Sequence, residues 1–152
     1  MIEEIEWGAS ISDLPDMVLM EVVGSGKRVY TREGEKLKIG DVDVERIMYG
    51  FYKDRLYEVQ IRFRRSSSFA KLKEKLFRVY GPGRQRRRSL ETYQWYGNNT
   101  SVFLGYDEKS EKGVIDYTFV PIYRERQRMK VNLEEYNRRV EKFKMVRKYV
   151  SQ

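Results

Sequence analysis

Apolar and polar residues alternate through the middle of the chain. Ile47, Tyr49 and Phe51 are spaced by Met48 and Gly50, and after Tyr52-Lys53-Asp54 the alternation resumes as Tyr57, Val59, Ile61 and Phe63. A period of two describes strands with one buried face, which leaves Glu58, Gln60, Arg62 and Arg64 on a polar, solvated one. The Tyr-Lys-Asp-Arg link is short enough for a tight hairpin, although it lacks an Asn-Gly or Asp-Gly pair. After Ser66-Ser67-Ser68, the residues Phe69, Leu72, Leu76, Val79 and Tyr80 recur at helical spacing and predict a helix over 68–80 packed on the apolar face. The serine hydroxyls are expected to cap its first amides, and Gly81-Pro82-Gly83 to end it.

The same patterns extend to both sides. Trp7 to Pro15 reads as an aromatic anchor, a turn and a helix start, with Ser10, Ser12 or Asp13 as cap and Pro15 in the first turn. Val18, Met20 and Val22 alternate up to Gly24-Ser25-Gly26-Lys27, and Val29 and Thr31 beyond it, which predicts a hairpin; a helix continued through Val22 is the competing reading. Leu37 and Ile39 fit a loop or short strand between Gly34 and Gly40. Downstream, Tyr93 and Trp95, then Val102, Leu104 and Tyr106, then Ile115, Tyr117 and Phe119 predict a three-stranded meander with a turn at Gly97-Asn98-Asn99. Tyr49-Gly50-Phe51-Tyr52 and Tyr93-Gln94-Trp95-Tyr96 echo each other before their turns, which convergence on aromatic hairpins explains better than duplication.

From Pro121 the period becomes helical. Met129, Leu133, Tyr136, Val140 and Phe143 form a narrow apolar seam that Arg147 interrupts, and Asn132 with Glu135 resembles a capping box from which a regular helix would start at Leu133. The expected architecture is an α+β domain over residues 1–121, a curved and mostly antiparallel sheet with one helix packed on it, followed by a basic helical extension over 122–152.

Charge and composition narrow the chemistry. The net charge of +8 is localised, because Arg84 to Arg88 holds four arginines and Ile122 to Val150 holds ten Lys or Arg against four Glu. Localised charge of this kind steers a partner to a place. The chain has neither Cys nor His, so disulfides, thiolate nucleophiles and the commonest base and metal ligand are excluded, and only oxygen ligands remain. No apolar run reaches the length of a membrane span, and the Met-Ile-Glu-Glu start has neither the basic nor the apolar region of a signal peptide.

Three motifs invite chemistry and have plainer explanations. Gly24-Ser25-Gly26-Lys27 resembles a phosphate-binding loop, yet Glu21 stands where that loop needs glycine and Arg28 where it needs Ser or Thr. Asp41, Asp43 and Glu45 would share a strand face and suit Ca²⁺ or an acid pair, but read better as solvated edge charges. Asn98-Asn99-Thr100-Ser101 contains glycosylation sequons within a turn. The arginine cluster is the strongest polar anomaly, since arginine forks bind phosphates and carboxylates in pairs. Tyr93 and Trp95 nearby have the chemistry to stack bases, although strand alternation assigns them to the core.

The Trp-Gly-x-Ser opening, the Ile-Met-Tyr-Gly-Phe-Tyr-Lys-Asp-Arg-Leu-Tyr hairpin, the Phe-x-x-Leu-Lys-x-x-Leu-Phe-x-x-Tyr-Gly-Pro-Gly helix and the Tyr-x-Trp-x-Gly-Asn-Asn meander resemble a family of small uncharacterised bacterial proteins, some of them exported. The resemblance covers about residues 5 to 120 and implies an α+β fold and a periplasmic or cell-envelope location; it supplies no catalytic residue. The expected function is a non-catalytic binding or assembly module, without cofactor or metal. It would act through Arg84, Arg86, Arg87 and Arg88 and through the seam Met129, Leu133, Tyr136, Val140 and Phe143. The expected partner is a protein with an acidic surface, a nucleic acid is the alternative, and a weak homodimer and a cytoplasmic location stay open.

Overall fold

The computed structural model describes residues 5–150, with side chains described as far as residue 142. Its strands are β1 (Met17–Val23), β2 (Lys27–Arg32), β3 (Lys38–Ile39), β4 (Val42–Asp43), β5 (Arg46–Tyr52), β6 (Arg55–Arg64), β7 (Thr92–Tyr96), β8 (Thr100–Asp107) and β9 (Lys112–Phe119); its helices are α1 (Ser66–Tyr80) and α2 (Val120–Val150). Among the described residues seven strands form one antiparallel sheet in the order β1-β2-β5-β6-β9-β8-β7, and β3 and β4 make a separate two-stranded ribbon. This is the expected α+β class.

The alternation read from the sequence sets the two faces. On the front, Tyr49, Val59, Ile61, Phe63, Leu104 and Ile115 are almost fully buried, and Phe69, Leu72 and Leu76 of α1 close over them. The back face carries Glu58, Gln60, Arg62 and Asp116. Aromatic rings fasten α1 down: Phe69 stacks on Tyr106 at 4.7 Å, and Phe77 meets Tyr93 and Trp95 edge-on at 5.3 and 5.6 Å. Phe63 lies across Gly113, where an added Cβ would come within 2.2 Å of the ring.

The β5–β6 link is a two-residue turn in which Lys53 and Asp54 both have positive φ, at 49° and 61°, the conformation that matches the twist of paired strands even without glycine. The sequence holds no sign of the bulge beside it. Gly50 pairs with Glu58 but Phe51 pairs with Leu56, so Tyr57 is the extra residue and the face reverses there. Tyr57, expected in line with Val59, instead joins Tyr52 and Ile122 in a small cluster apart from the main core, and Leu56 takes its place on the front. Phe119, at the end of the meander, is only partly buried; it packs on that cluster and stacks with Trp7 at 6.0 Å.

Other local expectations divide similarly. Gly81 ends α1 with φ at 82° and its amide bonded to the Phe77 carbonyl at 2.9 Å, as its sequence suggested. At the other end the serines lie inside the first turn, Arg65 is the cap residue with φ at 77°, and no side chain caps the helix. The sharp exit from β6 accounts for this, because Arg65 itself must turn the chain and so takes the cap position. Ile11–Asp13 is one 3-10 turn capped by Ser10, with Pro15 beyond it. β1 replaces the helix that was the competing reading through Val22. Asp41, Asp43 and Glu45 do not share a strand, since β4 holds only Val42 and Asp43. α2 runs unbroken through Asn132, so no capping box starts a helix there; it follows directly from β9 at Val120, and the first turn at Pro121 tolerates proline.

Leu72→Ala should lower unfolding stability by about 2 to 5 kcal/mol, because a fully buried side chain leaves a cavity under α1. Val79→Ala, on the exposed side of the same helix, should change it by less than about 0.5 kcal/mol. Chemical denaturation of the two variants checks the orientation of α1, and equal losses would refute it.

Candidate functional site

Three surfaces bear chemistry, and each is positioned by a different part of the sheet. The first is the arginine loop. Arg84 pairs with Gln94 through backbone bonds of 2.8 and 2.9 Å, which adds one bridge outside β7, and the Gln85 side-chain amide donates to the Leu90 carbonyl at 2.6 Å. The loop is thus held at both ends while Arg84, Arg86, Arg87 and Arg88 stay exposed. Among the described residues none of these four side chains has an ion pair or hydrogen bond. Beside the loop lies a groove of about 460 Å³ lined by Tyr80, Pro82, Arg84, Gln94 and Tyr96. Tyr80 and Tyr96 are the exposed rings here. Tyr93 and Trp95 are buried under α1, and the Trp95 indole donates to the Gly81 carbonyl at 2.9 Å, so neither is placed to stack a base.

The second surface is α2. It meets the strand tips in spatial order: the Val120 amide bonds to the Asn99 carbonyl at 2.7 Å, and Ile122 packs on Tyr52 and Tyr57. Next, Glu125 accepts from Arg55 at 2.7 Å and from Lys53 at 3.4 Å, and Arg126 donates to the Gly24 carbonyl at 3.1 Å. The two cations hold the Glu125 carboxyl below its ordinary pKa. Met129 and Leu133 then line a cleft of about 520 Å³ with Ser25, Gly26, Arg28, Lys53 and Asp54. Of the seam residues, Met129, Leu133 and Tyr136 are more than half exposed and Val140 is half-buried. Phe143 lies outside the described side chains. The first part of α2 is therefore tied to the domain's own sheet, and the helical extension begins on it rather than beyond it.

The third surface was not read from the sequence. On the back face Lys27 donates to Glu58 at 2.7 Å, and Asp116 accepts from Gln60 at 3.4 Å and from Thr118 at 3.2 Å. Glu58, Asp116 and Thr118 border a polar hollow of about 590 Å³ that includes Ser101, Phe103, Tyr123 and Arg124. Burial, reinforced by the neighbouring Glu58 carboxylate, pushes the Asp116 pKa up to about 6. Polar alternation marks Glu58 as outward-facing, but only the β6–β9 register brings it beside Asp116.

The remaining motifs have structural explanations. Gly24 to Gly26 forms the β1–β2 turn. Asp41 lies near Lys71 and Lys75, Asp43 near Lys38 and Glu45 near Arg64, all at exposed positions. No group of metal-ligating side chains is found among the described residues, and no described helix is long and apolar enough to cross a membrane. Comparison with family models, with curated proteins and with solved structures gives no match.

A carboxyl whose pKa is raised by folding adds stability that is fully present below its unfolded value of 3.8 and lost as pH rises through about 6. Asp116→Asn removes that dependence. The stability of the variant relative to the parent should therefore rise by about 2 kcal/mol between about pH 4 and about pH 8, as read from urea unfolding. A constant difference would show that Asp116 is solvated in the folded protein.

Proposed function

We propose that the chain is a non-catalytic binding module that takes an acidic protein segment on the loop from Arg84 to Arg88. The observation that carries this reading is the set of four exposed arginines left without partners on a loop anchored at both ends. Guanidinium forks pair carboxylates with two parallel bonds, and a loop already fixed in place loses little freedom when it binds. The groove between Tyr80 and Tyr96 extends the surface and offers apolar contact beside the charge. A cell-envelope setting, which the resemblance in the sequence implies, belongs to the same proposal.

A second reading has its own observation. Tyr80 and Tyr96 are exposed and line one groove with Arg84, and exposed rings beside a cation are what the bases of a single-stranded nucleic acid stack on. Burial of Tyr93 and Trp95 takes away the two rings that first suggested this role, so the protein partner is preferred.

Replacing all four arginines with Gln should leave stability within about 1 kcal/mol, as at other exposed positions. The same variant should lose most of its affinity for poly-glutamate, measured by titration calorimetry at low salt. Unchanged poly-glutamate binding would overturn the proposal. Tighter binding of a single-stranded oligonucleotide, falling steeply with salt as counterions are released, would favour the second reading.

A further inference from the structure

The register of β6, β9, β8 and β7 lays out the back face in rows. One row runs Gln94, Phe103, Asp116 and Gln60 across the sheet, and the next runs Tyr96, Ser101, Thr118 and Glu58. Side chains stand roughly perpendicular to a sheet, so their lengths set its relief. The middle of the second row holds two short ones, Ser101 and Thr118, between the ring of Tyr96 and the longer Glu58, and a depression forms there. Val120, Tyr123 and Arg124 share one face of α2 by their spacing and line the hollow where the strands end. In the first row Phe103 leans along β8 over Gly105, where an added Cβ would lie 2.9 Å from the ring. The ring therefore lies down along its strand, and the hollow stays open beside it.

The polar groups around the hollow are of mixed kind and nearly neutral in sum. Lys27 neutralises Glu58 at 2.7 Å, and the Asp116 carboxyl shares the hollow with the Arg124 guanidinium. Asp116 accepts from Gln60 and Thr118, whereas Ser101 and Arg124 make no side-chain hydrogen bond or ion pair among the described residues. An acceptor, a donor and a hydroxyl that is both thus stand next to a half-buried aromatic ring.

We propose that this hollow binds a neutral mono- or disaccharide, with one ring face against Phe103 and its hydroxyls shared among Asp116, Ser101 and Arg124. Each sugar hydroxyl both donates and accepts, so a mixed set of partners satisfies it. A carboxylate or phosphate would meet the Asp116 carboxyl, and an ammonium would meet Arg124. The C–H groups on a sugar's ring face carry the slight positive charge that the negative face of an aromatic ring attracts. The hollow's volume of about 590 Å³ falls within the roughly 300–1,000 Å³ of small-ligand sites. The upward shift of the Asp116 pKa shows that this floor has already lost part of its solvation, so a ligand has less water to displace from it. Gln94 and Tyr96 border both this hollow and the groove of the arginine loop, but Ser101, Phe103, Asp116 and Arg124 line the hollow and not the groove. The two surfaces can therefore be tested apart.

Titration calorimetry of the full chain with maltose, cellobiose and N,N′-diacetylchitobiose, each to about 20 mM, spans dissociation constants from about 10 μM to about 5 mM. At least one of the three should bind. Its dissociation constant should rise about tenfold in Phe103→Ala and in Ser101→Tyr, which fills the depression with a ring, and about threefold in Arg124→Ala. Arg124 is exposed, so its variant reads the site even where Phe103→Ala fails to fold. The chain with Gln at all four loop arginines should bind the saccharide as the parent does, which separates a failure here from a failure of the loop. Absence of heat with all three sugars, or an affinity unmoved in all three hollow variants, overturns the proposal. Tighter binding of choline or of inorganic phosphate that Ser101→Tyr abolishes overturns it too, by showing that the hollow takes a charged ligand.

Discussion

Strand β6 occupies the centre of the sheet, and the structure depends on its two faces being unlike. Val59, Ile61 and Phe63 point into a core that needs a cover, and α1 supplies it. Gln60, Arg62 and Arg64 tolerate water, so most of the back face needs none. Where the bulge at Tyr57 breaks the alternation, a patch of apolar surface opens on the polar side. Tyr52, Tyr57 and Ile122 close that patch, and this is what fixes the start of α2. One extra residue in one strand thus determines where the C-terminal helix leaves the sheet and what it runs across.

The parts of the fold set by local chemistry were legible in the sequence. Alternation located β5, β6 and the meander, and glycine stopped α1 because only a residue free of Cβ takes the required turn without strain. The parts set by pairing between distant strands were not. The Tyr57 bulge is a property of the β5–β6 register, the helix cap at Arg65 follows from the angle at which β6 ends, and the Glu58–Asp116 neighbourhood exists only because β6 meets β9. The narrow seam of α2 signalled an exposed helix and was silent about Ile122 and Glu125, which bind its first turns to the body. The arginine cluster was visible as composition. That Tyr80 and Tyr96, not Tyr93 and Trp95, flank it required the packing of α1.

Charge and apolar surface are sorted to different places on this sheet. The β7 edge presents arginines on an anchored loop, and the β1 edge presents aliphatic side chains with a single carboxylate. The back face keeps its charges paired across strands, as Lys27 and Glu58 show. The two surfaces lie at opposite ends of seven strands.

The order of strands also has a kinetic meaning. Five of the six strand junctions do not include the pairing of β6 with β9, and that pairing alone joins the N-terminal hairpins to the meander. Its partners are distant in the chain, with Gln60 and Asp116 56 positions apart. Closing it costs the entropy of a long loop before any contact repays it. The two halves have the local turns to form separately, and the β6–β9 pairing is the strand pairing of greatest sequence separation in the sheet. Until it forms the flanks of β6 and β9 are unpaired edges, so the nascent chain is most open to misassociation at the strand that later becomes its centre.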